Sequence, residues 1–161
     1  MEPKTYTAKE FKLVSLRDCT LTEKTRMCDT PDKAADYWRQ HIVSCPYFNA
    51  ECECFVAVLL NTRRHVKGHQ LISIGTLDTI LVHPREVFRV AIVAGAAAVV
   101  VMHNHPSGDP TPSEADVKAT RDLIRAGQLI KIDVLDHVIL GRPTEERAKD
   151  WASLRELGYF A

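Results

Sequence analysis

The sequence predicts a single α/β domain built on a mixed sheet with helices packed against it, and three observations carry that expectation. The chain has 161 residues, 45% of them apolar and 26% charged, which suits one globular core that needs no disulfide or metal staple. Apolar, β-branched runs at 53–60, 97–102 and 132–140 read as buried strands and alternate with segments of helical period at 31–45, 84–95 and 113–126. The run at 53–60 is followed, after a short charged turn, by a second strand-like run at 71–74. That pair reads as an antiparallel hairpin, so a purely parallel sheet is excluded.

Residues 1–30 read as an N-terminal extension of mixed composition, with Phe11-Lys-Leu-Val-Ser-Leu16 as a candidate edge strand, and the main domain is assigned to 31–161. Thr30-Pro31-Asp32 reads as a helix start, with Thr30 as cap and Pro31 at the first helical position. Ala34, Ala35, Trp38 and Ile42 recur at helical spacing until Cys45-Pro46. Glu53 to Leu60 is a nearly continuous apolar strand, and Arg63, Arg64 and Lys67 form a solvated hairpin tip rather than a phosphate site. Gly75 and Asp78 mark a further turn. Pro84 opens a helix through about Gly95, with Val87, Val90, Ala91 and Ala94 on one face. After the strand at 97–102, Ser113 opens a helix to about Ala126, with Gly127 expected as the residue just past its end. The stretch 132–140 reads as a last central strand, ended by Gly141-Arg142-Pro143. Trp151, Leu154 and Leu157 suggest a short terminal helix before Gly158.

Composition narrows the function classes. Formal net charge is zero, which disfavours a nucleic-acid partner because non-specific affinity for a polyanion comes from clustered Lys and Arg. The five cysteines (Cys19, Cys28, Cys45, Cys52 and Cys54) are odd in number and contain no Cys-x-x-Cys pair. Cys52 and Cys54, in an apolar strand, read as buried thiols rather than metal ligands. Met1 to Phe11 lacks the apolar core of a secretory signal, and Val90 to Met102 is too short to cross a bilayer. The expectation is a cytoplasmic protein without a membrane partner.

The chemistry concentrates between His103 and Asp116, in His-Asn-His-Pro-Ser-Gly-Asp-Pro-Thr-Pro-Ser-Glu-Ala-Asp. His103 and His105 are two apart, so at the end of a strand their imidazoles share one side. A Pro- and Gly-containing loop then leads to Ser113, and Asp116 falls in the first helical turn. Two imidazoles and one carboxylate, with a fourth position for water, form the ligand set of a catalytic Zn²⁺ site. Such a site lowers the pKa of its water to about 7. Ser113-x-x-Asp116 also reads as a helix capping box, and the two roles can coexist. A hydrolytic site needs a general base as well, and Glu53, at the head of an apolar strand, is the candidate. Periodicity alone leaves open whether Glu53 is that base or a residue where a strand meets solvent. His137 reads as a core histidine or as a support for the site; His41, His65, His69 and His83 show no partner pattern. An HNH nuclease would spread its residues over a longer unit, and a zinc deaminase would need His-x-Glu and Pro-Cys-x-x-Cys.

The spacing His103-x-His105, seven residues, Ser113, two residues, Asp116 resembles the signature of JAMM (MPN+) metalloproteases. Together with Gly75-Thr-Leu-Asp78, Pro84-Arg-Glu-Val-Phe88 and Leu135-Asp-His-Val-Ile139, the chain from about Thr30 to Gly158 resembles the bacterial RadC family. The resemblance implies a cytidine-deaminase-like α/β/α architecture with a curved mixed sheet. It implies Zn²⁺ held by His103, His105 and Asp116, with Glu53 as base and proton shuttle. It further implies that Ser113 bonds the oxyanion or orients the water. The activity implied is that of a zinc metallopeptidase or isopeptidase acting on a peptide or isopeptide substrate, with a homodimer as a candidate assembly. Full-length RadC proteins carry an N-terminal helix-hairpin-helix-like segment, and the residues ahead of Glu53 do not read as that module. A short form is therefore expected. The alternatives are a DNA-repair accessory protein and a non-catalytic MPN-type interaction module.

Overall fold

A computed structural model describes residue 5, residues 7–75 and residues 82–160. Helix α1 (Pro31–Tyr37) starts where the sequence predicts, with Thr30 Oγ1 accepting from the Lys33 backbone N–H and Pro31 in the first turn. It widens into a π-helical turn over Trp38–Ile42. Strand β1 (Glu53–Leu60) has the predicted bounds, and β2 (Val66–Gly75) returns antiparallel to it. Helix α2 (Pro84–Val93), strand β3 (Ala98–Asn104), helix α3 (Glu114–Ile130), strand β4 (Asp133–Leu140) and the short strand β5 (Trp151–Ser153) follow.

The five strands lie in the order β2-β1-β3-β4-β5. β3 and β4 run parallel, and every other neighbouring pair is antiparallel. The sheet is therefore mixed, as the hairpin required. Alternation along β1 and β3 divides the core between the two faces. Cys54, Val56, Val58 and Leu60 of β1 join Val100 and Met102 of β3 under α1, where Tyr37 and Trp38 fill the layer. Phe55, Ala57 and Leu59 join Val99 and Val101 on the other face, against Val87, Phe88 and Ala91 of α2 and Leu123 of α3. A strand buried on both sides has no polar alternation, which is why β1 and β3 read as continuous apolar runs.

Four expectations need correction. No strand forms over Phe11–Leu16; Phe11 and Leu16 are exposed, and the backbone there joins no ladder. β2 is longer than 71–74 because the pairing with β1 extends to Val66, so part of the charged turn belongs to the strand. Helix α3 does not stop at Gly127 but continues to Ile130 and ends on Lys131, whose φ of 60° makes the left-handed cap. The terminal helix is replaced by β5, since Trp151 pairs with Leu140 and three residues at a spacing of three cannot distinguish a turn from a strand. The turn predicted at Asp78 lies outside the described residues. Among the described residues no helix is long and apolar enough to cross a membrane.

Candidate metal centre

The β3–α3–β4 crossover places the end of one strand beside the start of a helix, the position where open α/β sheets usually bind ligands. β3 supplies His103 as its penultimate residue, on the same side as Val101 and therefore toward α3. His103 is almost wholly buried, and its ring stacks on Phe55 with centroids 5.7 Å apart and planes 14° from parallel. His105 follows just past the strand, where its backbone N–H donates to the Leu140 carbonyl at 2.8 Å. The two Nε2 atoms lie 3.0 Å apart.

Asp116 reaches this pair from the first turn of α3. Its Oδ1 is 3.3 Å from His103 Nε2, and its Oδ2 is 3.4 Å from His105 Nε2. The capping box forms in full: Ser113 Oγ accepts from the Asp116 backbone N–H at 3.1 Å, and Asp116 Oδ2 accepts from the Ser113 backbone N–H at 2.7 Å. Ser113 Oγ also donates to that same carboxylate oxygen at 2.7 Å. The helix cap thus aims the carboxylate, and Asp116, a partner in that cap, also faces the two imidazoles. His103, His105 and Asp116 form a group that could hold a metal ion.

Charges at the site are coupled. Burial works against ionised Asp116, but its close contacts with the imidazoles of His103 and His105 and with Ser113 outweigh it and hold the carboxyl well below its usual range. Burial likewise opposes the charged form of His105. Its bonds to Asp116 and to the Asp109 carbonyl, with the charges of Asp116 and Glu53, raise its pKa nonetheless.

Glu53 begins β1 on the same face as Phe55. The β1–β3 register pairs Phe55 with His103, and one step further the Cys54 backbone N–H donates to Asn104 Oδ1 at 2.9 Å. Two residues before Phe55, Glu53 lies near enough to His105 for its charge to act on that histidine. Asn104, between the two histidines and turned to the other side, also donates from Nδ2 to the Cys52 carbonyl at 2.9 Å. It therefore clamps the residues on either side of Glu53. Sequence reading passed over Asn104, although its place inside His-Asn-His was a signal. Cys54 is buried as expected, and Cys52 is partly so.

Two further side chains, His137 and Thr120, back this cluster. His137, from β4, lies with Nε2 2.8 Å from His103 Nδ1 and Nδ1 2.6 Å from Thr120 Oγ1 of α3. It is both a buried, satisfied histidine and a support for the site. Thr120 carried no sequence signal beyond its place one turn after Asp116. The loop between His105 and α3 is held from outside: Arg142 donates to the Pro106 carbonyl and Arg147 to the Gly108 carbonyl, both at 2.9 Å. A side chain at Gly141 would run into the Gly108 carbonyl, so that close approach requires glycine. Elsewhere His69 does find partners, Tyr37 and Tyr47, and burial pushes its pKa down to about 4.

The fold and this geometry agree with the comparisons to known proteins. Residues 28–159 match the sequence model of a family described as the RadC-like JAB domain. The chain is 57% identical over 89 residues to a UPF0758 protein of Desulforamulus reducens, covering 55% of this chain and 39% of that protein. It is 48% identical over 108 residues to a UPF0758 protein of Bacillus cereus, covering 67% of this chain and 45% of the relative. A UPF0758 protein of Shouchella clausii is 41% identical over 132 residues, covering 82% of this chain and 53% of the relative. The chain therefore spans about half the length or less of these relatives, whose names state no activity. With the family pattern matched over most of its length, the chain belongs to the RadC family, as a RadC-like JAB domain.

Proposed function

We propose that this domain is a zinc-dependent hydrolase that cleaves a peptide or isopeptide bond. The observation that carries the reading is the convergence of His103 Nε2, His105 Nε2 and the Asp116 carboxylate at the end of β3, with Glu53 on the neighbouring strand. The donor set fits a cation on chemical grounds. Imidazole nitrogens 3.0 Å apart, both facing a carboxylate, bring lone pairs together, and that arrangement is stable only with a proton or a metal ion between them. Two imidazoles and one carboxylate match a catalytic zinc set that leaves a position open.

Bound there, zinc supplies a Lewis acid and a water that ionises near neutral pH. Glu53 takes the proton from the attacking water and delivers it to the leaving amine, as a carboxylate beside but outside the ligand set can. His105 and Asp116 keep their fixed orientation through the reaction, because each is tied by a second hydrogen bond to the loop or the cap. Ser113 serves first as the residue that aims Asp116. To donate to a substrate oxyanion it would have to release the bond it makes to Asp116 Oδ2.

Metal content per chain, read by mass spectrometry, is the first test, with His103→Ala and Glu53→Gln alongside. The expected result is about one zinc per chain in the parent, none in His103→Ala, and full zinc with no turnover of a peptide and isopeptide library in Glu53→Gln. A parent that takes up no metal after zinc addition would overturn the reading in favour of a non-catalytic module. Undiminished turnover by Glu53→Gln would remove Glu53 from the reaction.

A further inference from the structure

A chain of hydrogen bonds leaves the Asp116 backbone and ends at His103, whose ring faces the Asp116 side chain. The Asp116 carbonyl accepts from Thr120 Oγ1 at 2.6 Å, and Thr120 Oγ1 lies 2.6 Å from His137 Nδ1. His137 Nε2 lies 2.8 Å from His103 Nδ1, and His103 Nε2 faces Asp116 Oδ1 at 3.3 Å. Thr120, His137 and His103 are all buried.

The direction of each bond follows from what each atom can do. A carbonyl only accepts, so the one hydroxyl proton of Thr120 goes to Asp116. Thr120 then offers His137 only lone pairs, so His137 Nδ1 carries a hydrogen and donates it. Both ring nitrogens of His137 are spent, on Thr120 and His103, in a fully enclosed position where a charged imidazolium is strongly disfavoured. A neutral ring with hydrogen on Nδ1 has a bare Nε2. His137 Nε2 therefore accepts, His103 Nδ1 donates, and a neutral His103 is left with no hydrogen on Nε2.

We propose that Thr120 and His137 are positioning residues that hold His103 in its Nδ1–H tautomer, so that its Nε2 lone pair already faces the metal position. The relay is needed because the Asp116 carboxylate, acting alone, would attract a hydrogen onto His103 Nε2 and block that position. One turn of α3 thus supplies the carboxylate and, four residues later, the hydroxyl that decides which nitrogen of His103 is free. His105 needs no relay, since its Nδ1 meets the Asp109 carbonyl directly at 2.7 Å. The effect on metal affinity rests on the zinc reading above; the tautomer assignment does not.

The experiment is performed on the full chain labelled with ¹⁵N. Long-range proton–nitrogen spectra of the zinc-free protein at about pH 8, above the ordinary histidine range, read the tautomer of His103. A chelator competition then measures zinc affinity for the parent, Thr120→Val and Thr120→Ser. Expected are a bare Nε2 on His103 in the parent and in Thr120→Ser, and a shift toward the Nε2–H form in Thr120→Val. Zinc affinity should fall 10- to 100-fold, as an order of magnitude, in Thr120→Val and recover in Thr120→Ser. Three results would overturn the proposal: hydrogen on His103 Nε2 in the parent, a folded Thr120→Val within about twofold of the parent in zinc affinity, or a Thr120→Ser variant as weak as Thr120→Val. If Thr120→Val does not fold, the parent spectrum still decides the tautomer. If the parent takes up no zinc, the zinc reading fails while the spectra continue to judge the relay.

Discussion

Gly127→Ala sets two well-calibrated effects against each other. Gly127 lies inside α3, where alanine is ordinarily better than glycine by about 1 kcal/mol through backbone entropy. On an exposed helix face the substitution would stabilise the protein. Here Gly127 is buried, and a Cβ added to it would overlap the carbonyl oxygen of Ile132 while sitting 3.2 Å from the Phe88 ring and 3.3 Å from Val134 Cγ2. Ordinary carbon–oxygen contact is about 3.3 Å, so the Ile132 carbonyl would have to withdraw by roughly an ångström. That carbonyl belongs to the residue whose N–H donates back to the Gly127 carbonyl at 3.0 Å, and it leads directly into β4, so it has little room to move. Overpacking of this kind costs roughly 1–3 kcal/mol, which exceeds the helix gain, and the expected net loss is about 1 kcal/mol. In urea, with a slope of roughly 2 kcal/mol per molar, the midpoint should fall by about half a molar. The same displacement would tilt α3 relative to the sheet and disturb Asp116 at its other end, so zinc affinity should weaken as well. An unchanged or higher urea midpoint would refute the claim that close packing, rather than a helix stop, is what Gly127 provides.

The remaining predictions concern the site. Ser113→Ala removes the acceptor for the Asp116 N–H and the donor to its carboxylate, so it should cost about 1 kcal/mol of stability and loosen zinc, measured by thermal unfolding and chelator competition. Zinc affinity equal to the parent's would show that the cap does not aim Asp116. Because the pKa of His105 is raised, its contribution to the zinc-free protein is full below its unfolded value of about 6.5 and is lost as pH rises through the folded value. The depressed pKa of Asp116 acts in the opposite sense, present above about 3.9 and lost as pH falls toward its folded value. The site should therefore contribute most to the zinc-free protein between roughly pH 4 and 6.5, and zinc uptake near neutrality should release about one proton. Calorimetric titration in buffers of different ionisation enthalpy reads that proton; uptake without release would contradict a raised His105.

Ranges of sequence with strong local signals were read correctly. The start of α1 at Thr30-Pro31 and the bounds of β1 follow from capping chemistry and an apolar run, and both occur as read. The C-terminal end of α3 and the tail were misread for related reasons. A glycine after an apolar helix face looks like a stop until the contact that excludes a side chain is known. A spacing of three over seven residues fits a helix or a strand followed by turns. Glu53 illustrates the boundary well: its type and its place at a strand head were visible, but its nearness to His105 depends on how β1 pairs with β3.

What the sequence determined by itself is the part of the site that is local in the chain. His103, His105 and Asp116 lie within one strand end, one loop and one helical turn, so the period of a strand and the geometry of a cap suffice to bring them together. What only the tertiary structure decided are the contacts between elements: β1, with Glu53, brought up by antiparallel pairing, Asn104 bonded to that strand, and His137 of β4 set between Thr120 and His103. Strand pairing and helix docking are set by packing between residues distant in the chain. A periodic pattern states which face a residue occupies; it carries no record of which residue lies opposite.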